Sequence, residues 1–524
     1  MDEGSEGEAA PAKNHTVVER KSERELVVTR TINGPARIVF EAFTKPELFK
    51  RWWVPRSLPE LSLLSCELDV RVGGTYRLVF SHNGSEPMAF FGRYLEVIPH
   101  SRLVWTNDEG GEGALHLTIE HGQVVDLRLE IFEPPRFFEA FLRGRDAAEV
   151  PDLVARICGI CPVAYQATAA QALERLFGVE LSPWARAMRR VFYCGEWIQS
   201  HSLHIHLLAA PDFFGCSSVI ELARIAPEEV RRGLRIQALG NELMDLFGAR
   251  SVHPVGIRVG GFHGAPSVER IGDIREKLRA ALPEAEALIR WAAGIAVPQD
   301  DQAFVCVAMR HPLDYAIESG DIGASDGLHI GAAAYDEHFA ERHEAHSTAL
   351  FSSYRQQPYL VGPLARLNLN HERLPARIKA LLAATGLVLP SRNLFHSLLA
   401  RAVEILLALH EALRLLDGYR VPDSPWVPVT PRAGVAAGCT EAPRGLLWHR
   451  YEMDADGCVV SARIVPPTSQ NQARIEEDLR LSLLNFGLDQ PDEALRLHCE
   501  KVIRNYDPCI SCATHFLRLK VERT

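Results

Sequence analysis

Two rhythms of hydrophobic and polar positions run along the chain, and one gives way to the other near residue 112. From Glu25, ELVVTRTI alternates as a strand does, NGP makes a turn, and ARIVFEAFTKPELFKRWW spaces its apolar residues as helical turns. VGGTYRLVF, AFFGRYLEVIP and SRLVWTN are further strands, punctuated by glycine and proline. ALHLTIEHGQVVDLRLEIFE reads as a hairpin turning at His121-Gly122. RFFEAFLRG is a short helix that stops at Gly144, and Pro162 suits the first turn of a helix running through AYQATAAQALERLFG to a closing glycine. Helical periodicity then fills about 184–210, 227–248, 268–294, 372–386, 396–417 and 474–485. The predicted class is α+β: a large, mostly helical body over 112–524 with small β-hairpin and sheet elements, behind a smaller α+β domain over 25–110. Residues 1–24, small and charged without apolar periodicity, read as a disordered tail.

Composition excludes several functions. With 47% hydrophobic and 24% charged residues in 524 positions, the chain has ample material for large cores. A net charge of −10 without a basic run argues against nucleic acid as a partner. No apolar stretch approaches the ~18 residues of a membrane span, and the acidic start MDEGSEGEAAPAKNH is no secretory signal. Eleven cysteines are too sparse for a disulfide scaffold, so a cytoplasmic chain with thiols is expected.

Four of those cysteines form two C-x-x-C pairs: Cys158 and Cys161 in RICGICP, and Cys509 and Cys512 in DPCISCATH. Two such pairs at opposite ends of one helical body point to a four-thiolate metal site made by distant segments. Zinc is one reading, although structural zinc usually staples a small module with pairs some 15–20 residues apart. A thioredoxin-like redox pair is another, but it expects a βαβ context that the helical pattern does not supply. Nickel, iron or an iron–sulfur cluster also suits four soft donors. Composition leaves all of these open. Cys194, Cys216, Cys306, Cys439, Cys458 and Cys499 read as small buried residues, and His201, His204 and His206 as core histidines on one helical stretch.

The text around the pairs resembles the large subunit of nickel–iron hydrogenases, in the cytoplasmic group coupled to soluble cofactors, from about Glu112 to the end. RICGICP and DPCISCATH carry the resemblance, with GCTEAPRG (438–445), IVPPTSQN (464–471) and YCGEWIQSH (193–201). It implies a nickel–iron centre with cyanide and carbon monoxide ligands. Cys158 and Cys509 would bind nickel terminally, and Cys161 and Cys512 would bridge the metals. Cys509 would accept the proton when H2 splits heterolytically. Arg444 matches a guanidinium poised over the open metal position, Pro443 and Thr468 match the pocket of the diatomic ligands, and Asp507 matches a carboxylate beside the site. Glu139, in R-x-x-E, and His515 match the ligands of a buried magnesium or iron. An iron–sulfur small subunit, diaphorase-type NAD(P)-linked subunits and maturation proteins are the implied partners.

Two positions depart from the pattern. Ser200 stands where well-studied members carry an aspartate. The opening segment, whose glutamate relays protons, is replaced by NDEGGEGALH, where Glu109 and Glu112 flank the expected position at Gly110. Glu109 is the candidate substitute. Residues 25–110 resemble the START-related helix-grip superfamily, in the branch of the Hsp90-ATPase activator, through Ala36–Phe43, Trp52–Trp53, GGTYR (73–77) and LVWTN (103–107). That match stops mid-sheet, as a truncated domain fused to the larger one. The competing expectations are a fused, catalytically impaired hydrogenase-like component and a four-cysteine zinc protein.

Overall fold

The computed structural model describes residues 16–22, 25–30, 35–53, 61–82, 88–105, 113–131, 137–508 and 518–523. The chain divides into two compact units, Met1–Gly110 and Gly111–Thr524. In the first, Leu61–Leu68, Thr75–His82, Met88–Ile98 and Arg102–Trp105 form an antiparallel meander in sequence order. Tyr76 and Leu78 alternate onto one face of the second strand and are buried with Phe49, Cys66 and Tyr94; Phe43, Trp53 and Trp105 pack against them. The helix Ala36–Thr44 stops at Lys45, because the residue before a proline is driven out of the helical region. One expectation needs correction. Within the tail assigned as disordered, Thr16–Ser22 is a strand antiparallel to Glu25–Arg30, with Val18 opposite Val28. Its β-branched residues favour an extended chain once a partner strand is available.

The second unit is mainly helical. The helix Pro162–Phe177 lies at its centre: fourteen of its sixteen residues are buried, so it is enclosed on all sides rather than along one stripe. Proline starts it at Pro162 and Gly178, in the left-handed region at φ +66°, ends it. Pro183–Leu203 begins at a Ser182 cap that accepts from Ala185 N at 3.1 Å, and continues through a π-helical turn, His204–Ala209. Pro227–Gly248 and Ser397–Leu416 pack against it, and Val268–Ala293 packs against both of those, making the largest core. The expected helix 372–386 is Ala376–Ala384, because Pro375 interrupts the earlier turns. Among the described residues, no helix is long and apolar enough to cross a membrane.

Three features escaped the periodicity reading: the helices Pro363–Asn370 and Asp492–Tyr506, and a three-stranded antiparallel sheet of Gly434–Ala442, Gly445–Met453 and Val459–Val465. Pro467–Phe486 also begins a full two turns before its expected start. The predicted hairpin is present as Gly113–Glu120 and Gln123–Ile131, with His121 and Gly122 both at positive φ as a two-residue hairpin turn requires. It belongs to the second unit. Arg518–Arg523 adds to it as a parallel third strand, Val521 opposite Leu117. Its buried face packs with Ile475, Leu479, Leu495, Cys499 and Tyr506.

Candidate metal centre

Cys158 and Cys161 lie on the loop between the short helix Val150–Val154 and the helix Pro162–Phe177, and Cys161 is the residue that caps the latter. Ile160 N donates to Cys158 Sγ at 3.4 Å, so the loop curls around that sulfur. Both cysteines are buried. Their helix is fastened to the strand Gly434–Ala442: the Thr168 and Thr440 hydroxyls are 2.5 Å apart, and Cys439 N donates to Gln171 Oε1 at 2.8 Å. That strand leads into Pro443 and Arg444, the two-residue turn before Gly445. The turn therefore arrives over the cysteine loop, and Arg444 Nη1 sits 3.6 Å from both the Cys158 and the Cys161 sulfur.

Asp507 approaches from the other side. It ends the helix Asp492–Tyr506 in the left-handed region at φ +55°, a conformation Asp tolerates better than most residues. Its Oδ2 lies 3.2 Å from Arg444 Nε and 3.5 Å from Arg401 Nη1, and all three side chains are buried. Burial pulls the Arg401 guanidinium down to about 10 against the attraction of Asp507, so it remains charged at neutral pH. Two guanidiniums thus share one carboxylate beside two thiols. A buried cation at this distance favours the thiolate form, which is the form that binds metals. Cys509 is two residues beyond Asp507 in sequence. The donor set fits a thiolate-held metal centre.

Sequence reasoning missed several residues around this centre. Glu196 is fully buried, and its carboxylate accepts from Val163 N at 2.6 Å and Ala164 N at 3.1 Å, at the start of the helix that follows Cys161. Burial raises its pKa well above the usual range, and the Cys158 thiol pushes the same way, while the two N–H donors and Arg444 pull it down. Further back lies a buried ion cluster. Arg366, Glu404, Glu441 and His201 are all fully inaccessible. Arg366 forks onto Glu404 at 2.8 and 2.7 Å and reaches Glu441 at 3.0 Å, and His201 Nε2 is 2.9 Å from Glu404. These partners are separated by 38 to 203 residues, so no local pattern announces them.

The remaining expected residues divide into three groups. Pro443 is buried beside Arg444, and Thr468 is half-buried in the first turn of Pro467–Phe486. Glu139 is exposed among the described residues; its Oε1 accepts from Ile464 N at 2.8 Å, at the end of the third strand of the Arg444 sheet. Glu109, Cys509, Cys512 and His515 lie outside the described residues. Ser200 is buried, and its hydroxyl has no hydrogen-bond partner among the described residues. The three histidines are core residues: besides His201, His204 Nε2 meets Arg504 O at 2.8 Å and His206 stacks on Trp291. Of the single cysteines, Cys194, Cys216, Cys306, Cys439 and Cys499 are buried and Cys458 is half-buried.

Comparison with known proteins also divides the chain in two, but the first match does not stop mid-sheet at residue 110: it runs on through the hairpin of the second unit. Residues 33–133 match the profile of the Activator of Hsp90 ATPase homolog 1-like protein family, and residues 136–232 and 326–515 match that of Nickel-dependent hydrogenase. The alpha subunit of sulfhydrogenase 1 from Pyrococcus furiosus is 34% identical over 413 residues, covering 78% of this chain and 96% of that protein. The beta subunit of the NAD-reducing hydrogenase HoxS from Cupriavidus necator is 28% identical over 479 residues, covering 81% of this chain and 95% of that one. The crystal structure of an NAD+-reducing [NiFe]-hydrogenase in its H2-reduced state superposes with a TM-score of 0.67 at 26% identity, covering 87% of this chain and 99% of the other. The paired cysteine motifs, the guanidinium over the first pair and these matches agree: the chain belongs to the nickel-dependent hydrogenase family, as a large subunit fused to an N-terminal domain of the Hsp90-ATPase-activator type.

Proposed function

We propose that this chain is the catalytic subunit of a cytoplasmic hydrogenase in which Cys158, Cys161, Cys509 and Cys512 hold a nickel–iron centre carrying cyanide and carbon monoxide. The observation that carries this reading is the convergence of Cys158, Cys161 and Asp507 on Arg444. When bound, the centre supplies the open metal position at which H2 is cleaved or formed heterolytically. Arg444 would contribute a fixed, buried cation beside that centre, one that needs no reorganisation when charge develops. Asp507 and Arg401 hold it from behind. Pro443 and Thr468 would lie beside the diatomic ligands, and Cys509 would be the residue that takes the proton. Glu139, anchored on Ile464 N, would share a magnesium or iron ion with His515. Electrons would leave through an iron–sulfur small subunit toward a diaphorase-type, NAD(P)-linked partner, and maturation proteins would install the metals; an NAD-linked acceptor is in keeping with two relatives that are named as NAD-reducing hydrogenases. Membership in this family supports the nickel–iron reading over the four-cysteine zinc reading.

One observation favours a second reading, in which the fusion retains the centre but turns over poorly. The stretch from Glu109 to Glu112, where the relay glutamate is expected, falls within the activator-type match and outside the hydrogenase match, which begins at residue 136. Purification with co-expressed partner subunits, followed by infrared spectroscopy and metal analysis, tests both. Cyanide and carbon monoxide stretching bands with about one nickel per large subunit support the centre, and zinc without such bands overturns it. Bands without H2-dependent turnover establish the second reading, with Glu109→Gln showing whether Glu109 substitutes as the relay.

A further inference from the structure

Arg444 has to be held by something, because the turn that carries it is poorly suited to hold itself. Two-residue hairpins favour turns with positive φ at the first central position, which match the twist of the strands. Here that position is Pro443, whose ring fixes φ near −65°, and Arg444 is not among the described residues with positive φ. The distortion passes to Gly445, at φ +140°. From the structure we infer that Arg366 is the positioning residue that fixes this turn, and through it Arg444.

Arg366 lies on the helix Pro363–Asn370 and is fully buried. Its five N–H donors are all used. Nε and one Nη2 donor go to Glu404, which anchors the guanidinium to the helix Ser397–Leu416. The other three go to the residues just before Arg444: Nη1 to Glu441 Oε2 at 3.0 Å and to Ala442 O at 2.8 Å, and Nη2 to Pro443 O at 2.9 Å. Trp197 closes the other side. Its ring stacks under the guanidinium at 4.5 Å, and its Nε1 donates to Glu441 O at 2.9 Å. The same helix is pressed against the turn at its start, where a Cβ on Gly362 would come within 2.8 Å of Arg444 O. A planar fork with five donors is what this arrangement requires. A lysine at 366 keeps the charge opposite Glu404 but cannot reach three acceptors on the turn as well.

This inference rests on the role proposed for Arg444, and its test separates the two. In the holoenzyme with its partner subunits, Arg366→Lys should lower kcat for H2 about 10- to 100-fold, since misplacement of a catalytic group by about 1 Å costs on that order. KM for H2 should stay within about threefold, and the cyanide stretching bands should shift as they do in Arg444→Lys. The double variant should lose no more than about twofold beyond Arg444→Lys alone, because a residue acting through another is not additive with it. In the full chain before metal insertion, backbone amides over 439–447 should exchange about tenfold faster in Arg366→Lys, with 162–177 unchanged. Additive losses in the double variant, or unchanged exchange over 439–447, overturn the inference. If Arg444→Lys itself moves neither turnover nor bands, the role of Arg444 fails, while the exchange result still decides whether Arg366 holds the turn. Should Arg366→Lys not fold, Glu441→Gln removes one partner and keeps the Glu404 fork; faster exchange over 439–447 is again expected, and unchanged exchange overturns.

Discussion

Glu404→Gln perturbs the ion cluster behind the site at its most connected point. The carboxylate accepts from Arg366 Nε and Tyr315 OH on one oxygen, each at 2.8 Å, and from Arg366 Nη2 at 2.7 Å on the other, which also faces His201 Nε2 at 2.9 Å. Glutamine retains one acceptor and turns an NH2 toward the guanidinium. Burial alone would raise the Glu404 pKa, but the charge and hydrogen bonds of Arg366, with His201, override it and hold the carboxyl at about 2. Removing one partner of a buried ion pair costs about 3–5 kcal/mol. For a unit of about four hundred residues, an unfolding entropy of ~2.1 cal/mol/K per residue converts this to a fall in Tm of about 4–6 °C. Because the folded pKa is depressed, the stabilisation is complete above the unfolded value near 4.5 and fades only as pH falls toward 2. The loss should therefore be constant from pH 5 to 8. Scanning calorimetry of the full chain, following the transition of the second unit, measures it. A Tm within 1 °C of the parent at pH 7 would refute the claim that this carboxylate balances buried charge.

Five buried histidines set an acid limit. Burial holds His201, His206 and His498 neutral with pKa values of about 4, and His204 and His449 at about 3. The unfolded chain takes up these protons first, so stability is full above about pH 6.5 and falls as pH drops toward 4, by about 3 kcal/mol for each histidine; a Tm that stays flat from pH 7 to 5 would contradict this. Gly445→Ala places a Cβ 2.7 Å from Val361 Cγ2 and 2.9 Å from Gly362 N at a φ of +140°, so the Arg444 turn must move. Its expected signature is a large loss of nickel per purified chain on elemental analysis, and normal loading would show that the turn adapts. Arg444→Lys should leave metal content unchanged and lower kcat by roughly 100-fold, the scale for removing one preorganised electrostatic donor; unchanged turnover would remove Arg444 from the site.

Residues with a strict local job were legible in the sequence. Pro162 and Gly178 bound a helix because one lacks an N–H and the other accepts a positive φ. His121-Gly122 closed its hairpin for the same conformational reason. The helix Asp492–Tyr506 was also readable: Leu495, Cys499, Val502, Ile503 and Tyr506 recur at helical spacing behind Pro491. It escaped because charged residues lie between them. The strand Gly434–Ala442 escaped because its inner half is buried on both faces, so it does not alternate. At the site, the cysteine pairs and Arg444 stood out as motifs. Arg366, Glu404, Glu441 and Arg401 did not, because their partners are brought together only by the packing of helices far apart in sequence.

The hairpin at the start of the second unit bears on how the chain is synthesised. Its buried leucines, Leu115, Leu117 and Leu129, share a cluster whose other buried members outside the hairpin all come from Cys306 onward, and its third strand is Arg518–Arg523. At ~5–20 residues per second, the ribosome needs about ten seconds or more to deliver the first of those partners and longer to deliver the last strand. Throughout that interval an apolar β-ribbon with an unpaired edge is exposed behind the N-terminal domain. Folding of the second unit thus begins with a segment that must wait for the end of translation, which makes the nascent chain a substrate for holding chaperones and favours slow elongation at low temperature for its recombinant production.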